Sequence, residues 1–436
     1  MRLENYYAEQ APTSETGVAW IPRPGAVRIR ELTGPIRGLY REPDVLSGDV
    51  VAVFGSSVLR ISEGGSVTDL GIVTDGASRV IIAGSLAGVM VADGVSLQYS
   101  TGSTLSTIAT PFEAPIWVGY LAGFWLCIPA NSQRRYWTQD TAPTNWGGLD
   151  FDTAAERPDN LVGAAIAGGR IWDMGQRSVE FRYPSGVGEA PFVAEVGRAY
   201  DRGCLARDSV VPVDNTVFWV GEDRIVYRGG DTPQAVSDEW FSELIARASD
   251  ISAFTMSWDG HVFYGLSLHG VGTYLFDIRV GAWVRWSTYG QTMLAQSFVV
   301  VGWDDKPLLA SNDGLYTLSA DAFKDGDLPV VGLVTGGVPI RGERPVSYSL
   351  NLEVSTGGGP VTGEGSAPIV QMRTSRDGGF TWGAWRSGGL GLSGDYAKRV
   401  RWTRMGQYKG PGALFEFRVS DPVPRRISGA YLDGGF

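Results

Sequence analysis

NTVFWVGEDRIVYRG, residues Asn215–Gly229, consists of two apolar runs joined by a short polar turn. Val, Ile, Phe, Trp and Tyr favour strands, while Gly, Glu and Asp between them favour a turn. The stretch therefore predicts a β-hairpin. A single hairpin cannot bury its apolar face, so it needs neighbours of the same kind.

The same pattern recurs along most of the chain. The other hairpin stretches are Val51–Ser62, Gly88–Ser100, Ala122–Thr138, Gly169–Tyr183, Gly260–Asp277 and Lys306–Ser319. Successive starts lie 37, 34, 47, 46, 45 and 46 residues apart. A period of about 40–50 residues is typical of four-stranded β-propeller blades. We predict an all-β chain with a propeller-like domain of six or seven blades over residues 45–328; sheets that never close are the alternative.

The C-terminal region predicts a second domain after a boundary near Asp325–Arg344. Alternating apolar residues in Pro345–Ser355 predict a strand with one buried face; they are Val346, Tyr348, Leu350, Leu352 and Val354. Further strands are expected near Pro368–Thr374, Ala397–Arg404, Ala413–Ser420 and Ile427–Leu432. These strands predict a small β-sandwich over residues 329–436.

Residues 1–44 carry only short apolar runs between polar turns. We expect an N-terminal arm, or a strand that completes the ring. We further hypothesise that this arm contacts a neighbouring subunit, because it has no core of its own.

One segment, Ser237–Ser249, predicts a short helix rather than a strand. Ser237 is a plausible N-cap, and acidic residues follow it in the first turn, where the helix dipole favours them. Trp240, Phe241, Leu244 and Ile245 lie at helical spacing and predict one apolar face.

The charge of the chain excludes some functions. The formal net charge is −10, which argues against a protein that wraps and neutralises DNA. Charge is uneven: residues 395–436 carry eight basic and four acidic residues, which leaves −14 for the first 394. This basic end predicts either a solvated sheet face or a docking surface for another subunit.

Cysteine and hydropathy patterns indicate a chain without disulfides or membrane spans. Cys127 and Cys204 are far apart, so we expect buried free thiols and neither a disulfide nor a zinc site. The first ten residues lack the apolar core of a signal peptide, which predicts no Sec export. The longest uncharged run, Ala114–Gln133, is interrupted by Pro129 and predicts buried strands.

Candidate catalytic residues are few. A glycosidase would need two carboxylates across a sugar site, and the pairs to consider are Asp150 with Asp152 and Glu222 with Asp223. Neither pair is marked as special: the first lies side by side on one strand and the second in a turn. His261 and His269 are the two histidines, and both resemble polar hairpin residues. We predict no enzyme, no catalytic or metal-binding residues and no cofactor.

Two further motifs are read as structural. Ser375–Trp382, SRDGGFTW, fits the Asp-box pattern S-x-D-x-G-x-T-W, a hairpin turn that also occurs in sialidase propellers. Aromatic residues beside basic ones, at Arg134–Trp137 and Arg399–Arg404, could stack on single-stranded nucleic acid. We favour buried aromatic residues with arginines pointing outward.

The stretch Asn145–Tyr183 resembles the phage stabilisation proteins of short-tailed phages, also called packaged-DNA stabilisation proteins. The family shows W-x-x-L-D-F, then A-E-x-x-P-D, then a strand, a turn and an FG-x-x-S/T-x-E-F/W strand. Here Met174-Gly175 stands at the FG position, and the A-E-x-x-P-D match, Ala155–Asp159, is one residue shorter.

Other segments resemble the family in the same order. They are Arg202-Gly203-Cys204 with Ala206-Arg207, Asn215–Tyr227, Thr232-Pro233-Gln234 with Ser237, Arg23-Pro24-Gly25, Arg37-Gly38, and Ser375–Trp402 with Phe417–Ala430.

The resemblance implies a tail hub or nozzle protein of the virion, assembled in the host cytoplasm. It implies a homohexameric ring below the portal and adaptor proteins that retains packaged DNA. It also implies contacts with tailspikes, fibres or a needle, and double-stranded DNA passing through the lumen without sequence recognition. The alternatives are a carbohydrate-binding or glycan-degrading propeller and a bacterial surface-binding β protein.

Overall fold

The computed structural model describes residues 2–12, 17–139, 142–154, 157, 159–187, 190–289, 293, 298–339, 346–408 and 412–435. The chain forms two compact units. The ring unit comprises Arg28–Val271 and Ala295–Thr317, and the sandwich unit comprises Met1–Val27, Gly272–Leu294 and Leu318–Phe436. The domain boundaries predicted after residues 44 and 328 remain predictions, although strand Ile36–Tyr40 already pairs with Val50–Phe54.

The ring unit contains five four-stranded antiparallel sheets, here called blades 1 to 5. Their strands are Ile36–Tyr40, Val50–Phe54, Ser57–Ile61 and Val67–Ile72 (blade 1); Ile81–Ser85, Gly88–Ala92, Leu97–Ser100 and Leu105–Thr107 (blade 2); Pro115–Leu121, Phe124–Pro129, Arg134–Thr138 and Trp146–Thr153 (blade 3); Leu161–Ala167, Arg170–Gly175, Val179–Pro184 and Phe192–Tyr200 (blade 4); and Val211–Val213, Thr216–Val220, Val226–Arg228 and Gln234–Ala235 (blade 5).

Two more sheets contribute strands to the ring unit. Blade 6 begins with the hairpin Ile251–Trp258 and His261–Leu268. Blade 7 contains Val299–Val301, Pro307–Ser311 and Gly314–Ser319, and strand Gly25–Glu31 follows in the same sheet. Leu32 N donates to Asp313 O at 3.3 Å, and Arg28 Nε donates to the Tyr316 hydroxyl at 2.9 Å. Blade 7 therefore joins residues from the start and the end of the ring unit.

The first strand of each blade lies beside the first strand of the next. The series closes, because Val299–Val301 of blade 7 contacts Ile36–Tyr40 of blade 1. The described residues thus form a closed ring of seven sheets, which confirms the predicted propeller and decides between six and seven blades.

Apolar side chains between successive blades hold this ring. Val51 and Val53 of blade 1, for example, pack with Val89 and Val91 of blade 2, and all four are fully buried. The uncharged run Ala114–Gln133 forms two buried strands of blade 3, as predicted. Within the described residues, no helix combines the length and apolar character needed to cross a bilayer.

The short helix spans Glu239–Arg247, and its N-cap differs from the prediction. Asp238, not Ser237, caps it by accepting from Phe241 N at 3.0 Å, while Ser237 Oγ accepts from Val226 N in blade 5. Phe241, Leu244 and Ile245 are buried, but Trp240 is 58% exposed. The predicted apolar face was wrong at Trp240, which lies at the edge of the buried stripe.

Asp238→Ala should lower the free energy of unfolding by about 1 kcal/mol, because the first helical turn loses its side-chain acceptor. Urea unfolding followed by circular dichroism measures the change. Glu243→Ala is the matched control, because it also removes a carboxylate from this helix but at an exposed position whose contact with Arg247 is loose, at 3.8 Å. An Asp238→Ala variant as stable as wild type would contradict this assignment of the cap.

The described residues of the sandwich unit contain strands of two large sheets and one short hairpin that belongs to neither of them. The first runs in the order Gly272–Asp277, Ala282–Trp286, Leu3–Glu4, Gly332–Pro339, Gly412–Val419, Ile369–Ser375 and Arg386–Gly389. The second runs in the order Tyr6–Gln10, Val18–Pro22, Ile427–Gly435, Val346–Val354 and Val400–Gln407. Lys324–Asp325 and Leu328–Pro329 form a short hairpin. A common core includes Leu350, Met372, Trp402 and Phe417, and the N-terminal Tyr6 packs into it.

The strand Val346–Val354 departs from the predicted alternation. Leu350 and Leu352 are buried as expected, but Val346 and Tyr348 are exposed. The register shifts between Ser347 and Ser349 on both neighbouring strands. This β-bulge changes which side chains face the core, and periodicity alone does not reveal it.

Candidate functional site

The first strands of the blades surround a cavity of about 440 Å³. Its polar lining includes Glu42, Arg79, Arg207 and Asp208. Arg207 donates to Asp208 at 2.8 Å and to Ile116 O at 2.8 Å, so its charge is engaged within the protein. Burial lowers the pKa of Arg79 and raises the pKa of Glu42. The lining is a set of mutually compensating charges rather than a nucleophile with its base.

The predicted carboxylates Asp150 and Asp152 do not form a catalytic pair. Asp152 accepts from Arg182 Nε and lies 3.8 Å from Arg135 Nη2. Asp150 packs over Gly147, whose backbone leaves no room for a Cβ beside that carboxylate. Asp152 is therefore an ion-pair residue of the ring unit.

Asp152 belongs to a buried charge cluster across blades 3 and 4. Arg135 donates to Asp173 in a close contact, and Arg182 donates to the same Asp173 Oδ2 at 2.9 Å. Arg182 also donates to Glu180 at 3.2 Å. Burial alone would lower the pKa of Arg182, but the carboxylates of Asp173, Asp152 and Glu180 outweigh burial and raise it. This cluster joins neighbouring blades by charge-assisted hydrogen bonds, a contact the sequence analysis missed.

Glu222 and Asp223 lie exposed in the turn of blade 5, as predicted. Asp223 accepts from Ile225 N at 3.1 Å and from the Tyr227 hydroxyl at 2.6 Å. Burial and the Asp223 carboxylate raise the pKa of Tyr227 to about 12. The contacts of Asp223 are those of a turn residue.

The two histidines also lie on a hairpin. His261 is buried and stacks on Phe263 with ring centroids 5.9 Å apart. His269 Nε2 lies 3.1 Å from Ser252 Oγ. A Ser–His–Asp triad would need a carboxylate on the other ring nitrogen, and none contacts His269 among the described residues.

Cys127 and Cys204 are buried free thiols, as predicted. Burial raises the pKa of both, to about 12 for Cys204. The thiolate is the reactive form of cysteine, so burial keeps both residues unreactive at neutral pH. Within the described residues no cluster of potential metal ligands occurs.

The Asp box in the sandwich unit has the predicted turn. Ser375 Oγ donates to Asp377 Oδ1 at 2.8 Å, and Asp377 accepts from both Thr381 N and Thr381 Oγ1, at 2.9 and 2.5 Å. Gly378 and Gly379 have φ of 76° and 100°, which favours glycine. Trp382 is half-buried, and the Cζ atom of Arg373 lies over its ring, 4.8 Å from the ring centroid. The motif is therefore structural here.

The stability of this turn should depend on pH through the Asp377 carboxylate. Hydrogen bonds from Thr381 and Ser375 lower the Asp377 pKa from 3.8 to about 2. Because the folded-state pKa is depressed, the stabilisation is fully present above about pH 4 and is lost as pH falls toward 2. The Thr381 amide should lose protection against hydrogen exchange over this window, and Asp377→Asn should remove that dependence. Equal protection of Thr381 at pH 5 and pH 2 would exclude the coupling.

The basic–aromatic stretches have buried aromatic residues, as favoured above. Tyr136, Trp137 and Trp402 are buried, whereas Arg399 and Arg401 are exposed. Arg135 departs from the expected outward orientation, because it is buried in the charge cluster. Arg135 points inward because its partner carboxylates lie on blades 3 and 4, and the nearer of them is buried.

The R-P-G stretch contains another buried arginine. Arg23 lies in the sandwich unit and donates to both oxygens of Asp325, at 3.0 and 2.5 Å. Its other donors reach Asn5 Oδ1 at 2.8 Å, Ser287 O at 2.8 Å and Pro24 O at 2.9 Å. All five guanidinium hydrogens are therefore used, and three distant chain segments meet at one side chain.

Other segments that resemble the phage stabilisation proteins also hold the backbone in place. Arg37 donates to the carbonyl oxygens of Ser78, Gly55 and Thr74. A Cβ on Gly203 would lie 2.1 Å from Gln176 O, so only glycine fits there. Ala155, Glu156 and Pro158 of the A-E-x-x-P-D match lie outside the described residues.

Comparison with protein families gives two matches along the chain. Residues 3–277 match the model described as bacteriophage P22 Gp10, beta-propeller. Residues 333–435 match the model described as bacteriophage P22 Gp10, beta-sandwich. No curated protein sequence matches the chain.

Solved structures that match this chain include WD40 repeats and a bacterial extracellular domain. RRP9 WD40 repeats align over 69% of this chain and 100% of their own, with 12% identity and a TM-score of 0.44. The extracellular domain of the putative one-component system BT4673 from B. thetaiotaomicron aligns over 92% of this chain and 60% of its own, with 9% identity and a TM-score of 0.46. The Neurospora crassa Pan2 WD40 domain aligns over 70% and 97%, with 9% identity and a TM-score of 0.43.

Proposed function

Because this chain belongs to the family of the bacteriophage P22 Gp10 β-propeller and β-sandwich, and is thus a structural protein of a phage virion, we propose that it is a tail hub or nozzle subunit. In this proposal six copies form a ring below the portal and adaptor. The ring retains packaged DNA, conducts it during ejection and anchors tailspikes, fibres or a needle. The protein acts by shape and contact rather than by a covalent step.

The observation that carries the proposal is the closed ring of blades, together with the buried contacts that hold its backbone in place. The motif residues Arg37, Gly203 and Arg207 hold backbone carbonyls or occupy positions without room for a larger side chain. If these motif residues served a chemical reaction, we would expect them to line a cleft that holds a nucleophile and its base. A rigid scaffold of this kind suits a protein that bears load.

The charge of the chain is compatible with a DNA conduit. A net charge of −10 gives weak, unspecific repulsion of the phosphate backbone, which allows DNA to slide. Tight nonspecific binding, which requires many phosphate contacts by Lys and Arg, would hinder ejection.

Electron microscopy of virions tests the proposal. A fused density tag on this chain should appear in the tail with six-fold symmetry, directly below the adaptor. Virions assembled without the chain should lose their packaged DNA. A tag found on the capsid shell, or DNA retained normally without the chain, would contradict the proposal.

A further inference from the structure

The last strand of the second sandwich sheet, Val400–Gln407, lies at the edge of that sheet. Six cationic side chains lie on or beside it, here called the arginine edge: Arg376, Arg386, Lys398, Arg399, Arg401 and Arg404. Arg386 donates to Thr403 O at 2.6 Å, and Arg376 donates to Met405 O at 3.1 Å. Arginines from elsewhere in the sandwich therefore cover the edge carbonyls and add their charge to it.

The positive charge of the arginine edge is almost uncompensated. Among the described residues, Arg401 alone of the six has a carboxylate within 4 Å, that of Asp433 at 3.8 Å. Arg404 has φ of 58° where the pairing with Val346–Val354 shifts register, and it is exposed. Bulges of this kind redirect side chains at a sheet edge. A basic surface this dense, on a chain of net charge −10, matches an anionic partner.

A surface of opposite charge lies in the ring unit. The helix Glu239–Arg247 and the blade 5 turn are fastened together, because Ser242 Oγ donates to Arg224 O at 3.0 Å. The acidic helix face consists of Glu222 and Asp223 in the turn and of Asp238, Glu239 and Glu243 at the helix, and Trp240 is exposed on the same helix. Of these five carboxylates, only Glu243 has a cationic partner within 4 Å among the described residues, Arg247 at 3.8 Å.

We propose that the arginine edge of one copy docks on the acidic helix face of the next copy. The proposal rests on the proposed function, since it identifies the contact that builds the ring. The two surfaces differ, so the contact is heterologous and passes from copy to copy until the ring closes. Arg and Trp are the residues that most often dominate such interfaces.

The phosphate backbone of duplex DNA is the competing anion for the arginine edge. A second copy accounts for more of the structure, because it also gives a role to the exposed carboxylates of the acidic helix face and to Trp240, which is 58% exposed. DNA at the arginine edge would leave that acidic surface without a partner.

Charge reversal on each surface tests the contact. R399E/R404E reverses the arginine edge, and E222R/E239R reverses the acidic helix face. K306E/R177E is the matched control, because it reverses two exposed charges outside both surfaces. Each variant is supplied to virions of a phage lacking this gene, and its copies per purified particle are counted. Thermal unfolding of each purified chain checks that it folds.

We expect each reversed variant to be incorporated at least about tenfold less than wild type, because like charges then face each other. The control should be incorporated normally. Supplying R399E/R404E together with E222R/E239R should restore incorporation, since each variant then meets a complementary neighbour around the ring.

Four results would overturn the contact or its premise. Normal incorporation of either folded variant alone, or failure of the mixture to assemble, refutes the contact and leaves the proposed function standing. A R399E/R404E chain that assembles normally but releases DNA assigns the arginine edge to DNA instead. Wild-type chain absent from particles refutes the proposed function itself.

Discussion

Arg23→Ala should lower the free energy of unfolding of the sandwich unit by about 3–5 kcal/mol, because it leaves a buried carboxylate without its partner. Arg23 and Asp325 are each 1% exposed, and the guanidinium contacts both carboxylate oxygens. Thr288 Oγ1 and Ala26 N also donate to Asp325, but neither supplies a charge. The loss should appear as a lower urea midpoint in a chain of otherwise wild-type fold.

Arg23→Lys separates charge from geometry in this site. Lysine keeps the charge but offers three donors from a single nitrogen, whereas the site uses five donors in a planar fork. We expect a loss between those of alanine and wild type. Lys324→Ala is the matched control: in its ion pair with Glu364 the two side chains are 35% and 64% exposed, so its loss should cost at most about 1 kcal/mol. An Arg23→Ala chain as stable as that control would show that the buried pair contributes little.

Arg23 also shows why sequence predicts such sites poorly. The R-P-G stretch was recognisable, but the carboxylate that it meets lies 302 residues away along the chain. Strand and turn preferences act over a few residues and carry no information about that pairing. The role of Arg23 therefore required the folded structure.

The ring was predictable because the hairpin pattern that produces it is local and recurs along the chain. Each hairpin carries its own apolar runs and turn residues, as Asn215–Gly229 does, so the period survives in the sequence. The repeat contains one hairpin for each of the seven blades, and Lys306–Ser319 is the hairpin of blade 7. The repeat does not show how blade 7 is completed, because strand Gly25–Glu31 joins its sheet from the start of the chain.

Errors in the prediction fell where one residue alters a regular pattern. Asp238 and Ser237 are both good N-caps, and only the contact with Phe241 N distinguishes them. The bulge after Ser347 exposes Val346 and Tyr348 by inserting one residue. Among the candidate carboxylates, Asp152 was noticed as acidic, but its arginine partners lie on other strands.

The charge cluster of blades 3 and 4 gives the second large effect. Asp173→Asn removes one negative charge with almost no change in volume, so it creates no cavity. Asp173 is 1% exposed and contacts both Arg135 and Arg182. The neutral amide would leave these buried arginines with less compensating charge.

We expect Asp173→Asn to cost about 3–5 kcal/mol of unfolding free energy, as does removing one partner from a buried ion pair. Hydrogen exchange should rise in strands Arg134–Thr138 and Arg170–Gly175, because the cluster joins these two blades. Asp201→Asn is the control: Asp201 pairs with Arg157 but its side chain is 77% exposed, so the change should cost at most about 1 kcal/mol. If the two variants unfold at the same urea concentration, the cluster does not hold the blades together, and apolar packing alone must keep the ring closed.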